Sequence, residues 1–107
     1  MATTFDDREK AFEAKFAHDA EMQFKAEARR NRLLGLWAAG LLGLDEAAAQ
    51  DYARDVIRSD FQEAGDQDVF RKIRSDLPAT VSDAEIREKM AALLAEAKSQ
   101  ILTELGI

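Results

Sequence analysis

The first 32 residues of the chain contain no glycine, proline, valine, isoleucine or leucine. Because both the common helix breakers and the usual aliphatic core residues are missing, this segment favours a helix that cannot bury itself. Its large apolar side chains include Phe5, Phe12 and Phe16, which fall within roughly 40° of one another at about 100° per residue. So narrow a stripe is typical of a single helix that docks into a groove on another protein.

The rest of the chain is apolar enough to fold alone. The full chain of 107 residues predicts one domain, and its composition of 47% hydrophobic and 34% charged residues is that of a globular protein. No segment shows the alternation of apolar and polar residues expected of a strand. The sequence therefore predicts an all-α fold, a four-helix bundle over residues 20–107 with a projecting or mobile N-terminal helical arm over residues 1–19.

The first predicted helix begins near Thr4, which is a plausible N-cap followed by acidic residues in the first turn. It continues to about residue 42, where Gly40 and Gly43 are stop signals. An unbroken helix of this extent would have about 38 residues and a length of roughly 57 Å, which exceeds what a domain of this size can cover. We therefore expect its N-terminal half to project from the bundle or to fray.

Three further helices follow from capping and stop signals. The second is expected from Asp45 to about Glu63, before Gly65. The third is capped by Asp66 or Asp68 and stopped by Pro78. The fourth begins at the capping box Ser82-Asp83-Ala84-Glu85 and is closed by Gly106. The predicted core takes Trp37 from the first helix and these side chains from the others: Ala48, Ala49, Tyr52, Val56, Ile57, Ser59, Phe61, Val69, Phe70, Ile73, Leu77, Ile86, Met90, Leu93, Leu94, Ala97, Ile101 and Leu105.

Charge and composition exclude several classes of function. The net charge of −6 belongs entirely to residues 33–107, since residues 1–32 hold equal numbers of acids and bases. An acidic body argues against nucleic acid as a partner. The longest apolar run, residues 33–44, is too short to cross a bilayer, and no secretory signal is present. We therefore expect no direct membrane insertion, and the absence of cysteine excludes disulfides and thiolate metal sites.

Each motif that could support catalysis or bind a metal lacks a residue that the chemistry requires. Gly35 and Gly40 have the spacing of a phosphate-binding loop, but Leu41 and Leu42 stand where lysine and serine or threonine are required, so helix packing is favoured. Residues 60–71 resemble a calcium loop, but Arg71 occupies the place of the bidentate glutamate. His18, the only histidine, has no cysteine or catalytic serine beside it and is expected to be exposed. We predict no catalytic residue, no metal site and no enzymatic activity.

Arginines cluster where the arm meets the body. Arg29, Arg30 and Arg32 could bind phosphate or a carboxylate-rich surface, or could form a solvated helix face with acidic partners one turn away. The sequence leaves both interpretations open. We expect no buried acid or base in the second, third or fourth helix.

The string FDDRE…FEAKFAHD…EARRNRLLGLWAA, within residues 3–44, closely resembles the ζ-type inhibitor subunit of the F1-ATPase of α-proteobacteria. The stretch DYARDVIRSDFQEAGDQDVFRKIRSDL, residues 51–77, is similar to the same family, and the helix from Ser82 onward matches more loosely. The resemblance implies a four-helix bundle whose N-terminal segment inserts at an α/β catalytic interface of F1, near γ, and blocks ATP hydrolysis. It also implies an association with F1 at the cytoplasmic face of the inner membrane.

By this match the inhibitory segment corresponds to residues 3–19. Its expected partner-binding residues are three apolar anchors and three basic side chains: Phe5, Phe12, Phe16, Arg8, Lys10 and Lys15. The expected partners are the α, β and γ subunits of F1-ATPase. No cofactor is required, and the resemblance implies weak binding of adenine nucleotide (ATP or ADP) at residues that the sequence does not identify. The alternative function is a small helical regulator that responds to nucleotide, or a homo-oligomeric scaffold, without catalytic activity.

Overall fold

Four helices form the fold in a computed structural model, which describes residues 19–60 and 66–106. They are α1 (Ala20–Leu41), α2 (Glu46–Ser59), α3 (Gln67–Asp76) and α4 (Asp83–Glu104). Within these ranges every regular element is a helix, which confirms the predicted all-α class. None of the four combines the length and the apolar character that a bilayer span demands.

Capping residues set the helix ends largely as predicted. The Asp45 side chain accepts a 2.8 Å hydrogen bond from the backbone N–H of Ala48. Ser82 and Glu85 form the complete capping box at the start of α4. Gly43 adopts a φ of +71°, and the N–H of Leu44 reaches back 3.1 Å to the carbonyl of Ala39. This left-handed backbone conformation at the end of α1 favours glycine, because glycine has no Cβ.

Several predicted boundaries are wrong. Asp19 has extended backbone angles (φ −119°, ψ 100°), and its side chain accepts a hydrogen bond from the N–H of Met22, so α1 begins at Ala20. The expected single helix from Thr4 is therefore interrupted at Asp19, and Thr4 itself lies outside the described residues. Helix α2 ends at Ser59 rather than near Glu63.

Two other predicted signals act differently from expectation. Gly40 lies inside α1 rather than ending it, since the helix continues to Leu41. Asp66 occupies the N-cap position of α3, as one of the two predicted caps, but its side chain makes no capping bond, and Asp68 lies within the helix.

The core consists of two apolar clusters. The larger joins all four helices, with Leu34 and Ala38 of α1 packed among these buried side chains: Val56, Val69, Ile73, Leu77, Ile86 and Met90. The smaller brings Met22 and Ala26 near the start of α1 against Ile101 and Leu102 near the end of α4. Helices α1 and α4 are therefore antiparallel, with the start of α1 beside the end of α4.

Some predicted core positions are not buried. Leu105 is 53% exposed because it follows the last turn of α4. Trp37 is half-buried, packs on the edge of the larger cluster and has Lys89 Nζ 5.7 Å from its ring centroid. Ala53 and Leu102, which the prediction omitted, are fully buried. Phe61 lies outside the described residues.

Candidate functional site

The residues predicted to contact a partner lie in the N-terminal segment. All six of them, together with His18, fall within residues 1–18, outside the part of the chain that the structure describes: Phe5, Arg8, Lys10, Phe12, Lys15 and Phe16. Their roles therefore stay predictions. The first described residue after this segment is Asp19, which caps α1.

The arginine cluster predicted at the base of the arm is split between different environments. Arg30 is only 1% exposed. Its Nε donates a 2.7 Å hydrogen bond to Oδ1 of Asn31, and its Nη2 donates a 3.0 Å bond to Oδ1 of Asp66. Neither predicted interpretation, an anion-binding surface or a solvated helix face, fits this buried guanidinium.

Asn31 continues the same network to Asp60. Its Nδ2 donates a 3.0 Å hydrogen bond to Oδ2 of Asp60. Burial raises the pKa of Asp60, although the bond from Asn31 and the charge of Arg30 oppose the rise. We call these four residues the polar cluster: Arg30, Asn31, Asp60 and Asp66. The cluster joins α1 to Asp60, which follows α2, and to Asp66, which precedes α3.

A buried acid lies nearby on α3. Asp68 is 5% exposed, and its Oδ1 accepts a 2.9 Å bond from the N–H of Val69. The expectation of no buried acid or base in the second to fourth helices is therefore wrong. Among the described residues, no buried side-chain nitrogen or oxygen lacks a hydrogen-bond partner.

A signal for the burial of Arg30 was present in the sequence. Ala26, Arg30, Leu34 and Ala38 recur every four residues, which places them on one side of a helix. Three of these are small or apolar and fully buried, so the fourth shares their buried face. The residue type of Arg30 favours the surface, whereas its register along α1 indicates the interior.

The other basic residues surround a surface groove. The guanidinium of Arg29 pairs with the carboxylate of Glu104 at the end of α4, with one contact of 2.9 Å from Nη2 to Oε1. This hydrogen bond lowers the pKa of Glu104. Lys25 and Arg32 are exposed on the same part of α1.

This α1–α4 groove has a volume of about 430 Å³. It is lined by residues from α1, α2 and the end of α4: Phe24, Lys25, Ala28, Arg29, Arg32, Ile57, Ile101, Glu104 and Leu105. Phe24 and Leu105 are 55% and 53% exposed, so the groove presents apolar surface beside the basic side chains. No local sequence pattern predicts this groove, because it forms from parts of three helices.

The glycine pair considered as a phosphate loop is split by the structure. A Cβ on Gly35 would lie 2.7 Å from the Cα of Ala53, so Gly35 allows the backbones of α1 and α2 to approach closely. Gly40 is exposed, with no atom within 4 Å of such a Cβ. Packing, the predicted alternative to the phosphate loop, is therefore confirmed at Gly35. Within the described ranges, no three acidic or histidine side chains converge as metal ligands would.

Comparison with known proteins identifies one family. The family model described as ATPase inhibitor subunit zeta matches residues 1–100. A structure solved by solution NMR shares 51% sequence identity and a TM-score of 0.72, over 78% of this chain and 98% of that one. No curated protein matches the chain.

Proposed function

The chain belongs to the ATPase inhibitor subunit zeta family, and from this membership we propose that it inhibits ATP hydrolysis by F1-ATPase. The N-terminal segment, residues 1–19, inserts at an α/β catalytic interface near the γ subunit. The observation that carries the proposal is the extent of the family match, which begins at residue 1 and includes this segment together with the bundle.

The composition of the segment supports this role. Phe5, Phe12 and Phe16 form one apolar stripe, and burying each ring in a partner would contribute on the order of 1.5–3 kcal/mol before entropy costs. The basic side chains Arg8, Lys10 and Lys15 supply charged contacts to an acidic interface. Because the segment must become ordered when it binds, no single ring offsets the cost alone.

A double substitution in the stripe tests the proposal. Phe12→Ala/Phe16→Ala removes two of three anchors and is expected to abolish inhibition of ATP hydrolysis by F1 from the same source. The matched control is Ala14→Ser/Ala17→Ser, which changes two residues of the same segment away from the stripe and should inhibit like the unmodified chain. Undiminished inhibition by the phenylalanine variant would refute the role of the stripe.

Deletion of residues 1–19 separates inhibition from a scaffold function. If the protein is an inhibitor, the shortened chain should keep its helical bundle, as measured by circular dichroism, and should lose its effect on F1. A scaffold that pairs through its arm would instead change its mass in sedimentation equilibrium. A change of mass together with unaltered inhibition would favour the scaffold.

The protein acts without catalysis, metal or required cofactor, and it works at the cytoplasmic face of the inner membrane, where F1 resides. Weak adenine nucleotide binding is part of the proposal without an assigned site. Titration of the ¹⁵N-labelled full chain with ATP would test it, since saturable shifts of a contiguous set of amides are expected.

A further inference from the structure

The α1–α4 groove exposes apolar surface of the bundle. Its base includes Ile101, which is 5% exposed, while Phe24 and Leu105 at its sides keep more than half of their surfaces exposed. Apolar surface in a concave site is a typical docking surface. The groove lies beside the start of α1, where the described fold meets residues 1–18.

The groove also carries a positive charge. Lys25, Arg29 and Arg32 lie along α1 at its edge, and among the described residues that line it Glu104 is the only acidic one. Arg29 is already paired with Glu104. An occupant that combines apolar side chains with carboxylates is therefore favoured over one that is purely apolar.

The nearest such occupant is the N-terminal segment of the same chain. Asp19 has an extended backbone and caps α1 at its start, so residues 1–18 are tethered to the bundle at this point. Phe24 lies five residues further on, about 7.5 Å along the helix. A tethered segment of 18 residues has a far higher effective concentration at this groove than a separate molecule would have.

The spacing of the stripe matches the groove. Phe12 and Phe16 are four residues apart, about 6 Å along a helix, which is also the separation of Phe24 and Ala28 on α1. A segment that returns antiparallel to α1 after a short turn near Asp19 would bring the two pairs together.

The charges of the segment match the groove as well. On a helical wheel of about 100° per residue, Glu9 and Glu13 fall on one side of the stripe, and Arg8 and Lys15 fall on the other. The acidic side can therefore face Lys25, Arg29 and Arg32 while the rings cover the apolar floor.

We propose that the α1–α4 groove is an intramolecular dock for residues 1–18, which holds Phe12 and Phe16 when the protein is not bound to another molecule. The same rings cannot occupy the groove and a partner at once. The dock is therefore an autoinhibitory contact that must open before the segment engages its target. This consequence, unlike the dock itself, rests on the proposed inhibition of F1-ATPase.

Paramagnetic relaxation in the full chain tests the dock directly. The chain contains no cysteine, so Ala14→Cys provides a single attachment point for a nitroxide, on the side of the segment opposite the stripe. We expect the label to broaden the amide signals of residues 24–32 and 101–105, relative to the reduced label. Signals of α3 and of the first turns of α4 should stay sharp. Broadening confined to residues next to Asp19 would overturn the proposal.

Two controls identify the occupant and the contacts. A mixture of ¹⁵N-labelled unmodified chain with unlabelled nitroxide chain should show no broadening, and broadening there would assign the groove to a second copy instead. Adding Arg32→Glu to the labelled chain should reduce the broadening at least several-fold. The matched reversal Arg54→Glu, on the exposed face of α2, should leave it unchanged, and equal effects of the two reversals would overturn the charge match.

An ATPase assay tests the consequence separately. Phe24→Ser/Leu105→Ser should release the segment and lower the concentration for half-inhibition, by about 10-fold if the dock is closed nine-tenths of the time. Groove broadening without any inhibition of F1 by the unmodified chain would leave the dock standing and refute the proposed function. Inhibition that is unaffected by the groove variant would overturn the autoinhibitory role.

Discussion

At the scale of single residues, Tyr52 shows how one hydroxyl group joins two helices. It donates a 2.8 Å hydrogen bond from α2 to Oδ2 of Asp76 on α3, and Lys72 Nζ lies 2.8 Å from the same oxygen. Burial and the bond to Asp76 raise the pKa of Tyr52 well above its usual range, so it stays a donor. Partial burial alone would raise the pKa of Asp76, but the bonds from Lys72 and Tyr52 outweigh it and lower that pKa.

This arrangement predicts a pH-dependent cost of Tyr52→Phe. Near neutral pH we expect the free energy of unfolding to fall by about 1–2 kcal/mol, since the lost hydrogen bond ends on a charged group. The stabilisation of a carboxylate with a lowered pKa is present above its unfolded pKa, about 3.9, and is lost as pH falls through the folded value. The difference between variant and unmodified chain should therefore shrink below about pH 4 in urea titrations.

The control for this prediction removes a hydroxyl with a neutral partner. Ser59 Oγ donates a 2.6 Å bond to the carbonyl of Val56, which does not titrate. Ser59→Ala should therefore destabilise the protein by a constant amount across the same pH range. A Tyr52→Phe effect that is equally constant would contradict the role assigned to Asp76.

At the scale of helices, the contact between α1 and α2 depends on the absence of a side chain. Gly35 is buried, and Ala53 opposite it is 1% exposed. Two small residues facing each other let the helices come closer than larger side chains would allow. Close approach also brings Val56 into contact distance of the same position.

We predict opposite effects for two glycine-to-alanine substitutions on α1. Gly35→Ala gains helix propensity, but its Cβ would collide with the backbone of α2, so overpacking should cost about 1–3 kcal/mol. Gly40→Ala meets no atom within 4 Å and should stabilise the protein by about 0.5–1 kcal/mol. Thermal unfolding followed by circular dichroism compares them, and a stabilising Gly35→Ala would show that the helices separate without cost.

At the scale of the whole molecule, the polar cluster adds a partly buried set of polar contacts to the apolar packing of the bundle. Arg30 and Asn31 on α1 bind Asp66 and Asp60, so one turn of helix contacts both sides of the α2–α3 connection. Asp66 is 47% exposed, so water can replace Arg30 there. Asn31, however, is buried, and without the Arg30 side chain its Oδ1 would lose its hydrogen-bond donor.

We expect Arg30→Met to lower the free energy of unfolding by about 2–3 kcal/mol, below the full cost of breaking a buried ion pair because Asp66 can be rehydrated. The matched control is Arg54→Met, whose pair with Asp51 is exposed on both sides, and a change within about 0.5 kcal/mol is expected there. Urea denaturation provides both values. Equal effects of the two substitutions would mean that the polar cluster adds no more than a surface pair.

The parts of the fold that are encoded locally were predictable from sequence. The caps at Asp45 and Ser82 and the stop at Gly43 depend only on neighbouring backbone groups, and all three are confirmed. The helix number and most of the core follow from apolar periodicity in the same way. The start of α1 at Ala20, after the cap Asp19, was not predicted, because the residues before it have equally good helix propensity.

The features that depend on several helices escaped the sequence analysis. The register of Arg30 along α1 indicates its burial, but its carboxylate partner Asp66 lies 36 residues further along the chain, and no local pattern indicates that partner. The α1–α4 groove likewise exists only where three helices meet. The predicted partner-binding residues, from Phe5 to Phe16, precede the described part of the chain and stay predictions.

The antiparallel contact of α1 with α4 has a practical consequence for engineering. Met22 packs with Ile101 and Leu102, and Arg29 pairs with Glu104, so residues 19 and 106 belong to the same pole of the bundle. A short flexible linker could join them into a circular permutant with new termini in the turn between Pro78 and Val81, at exposed residues 79 and 80. In such a rearranged chain the bundle would stay closed, while residues 1–18 could be moved to a different pole of the molecule.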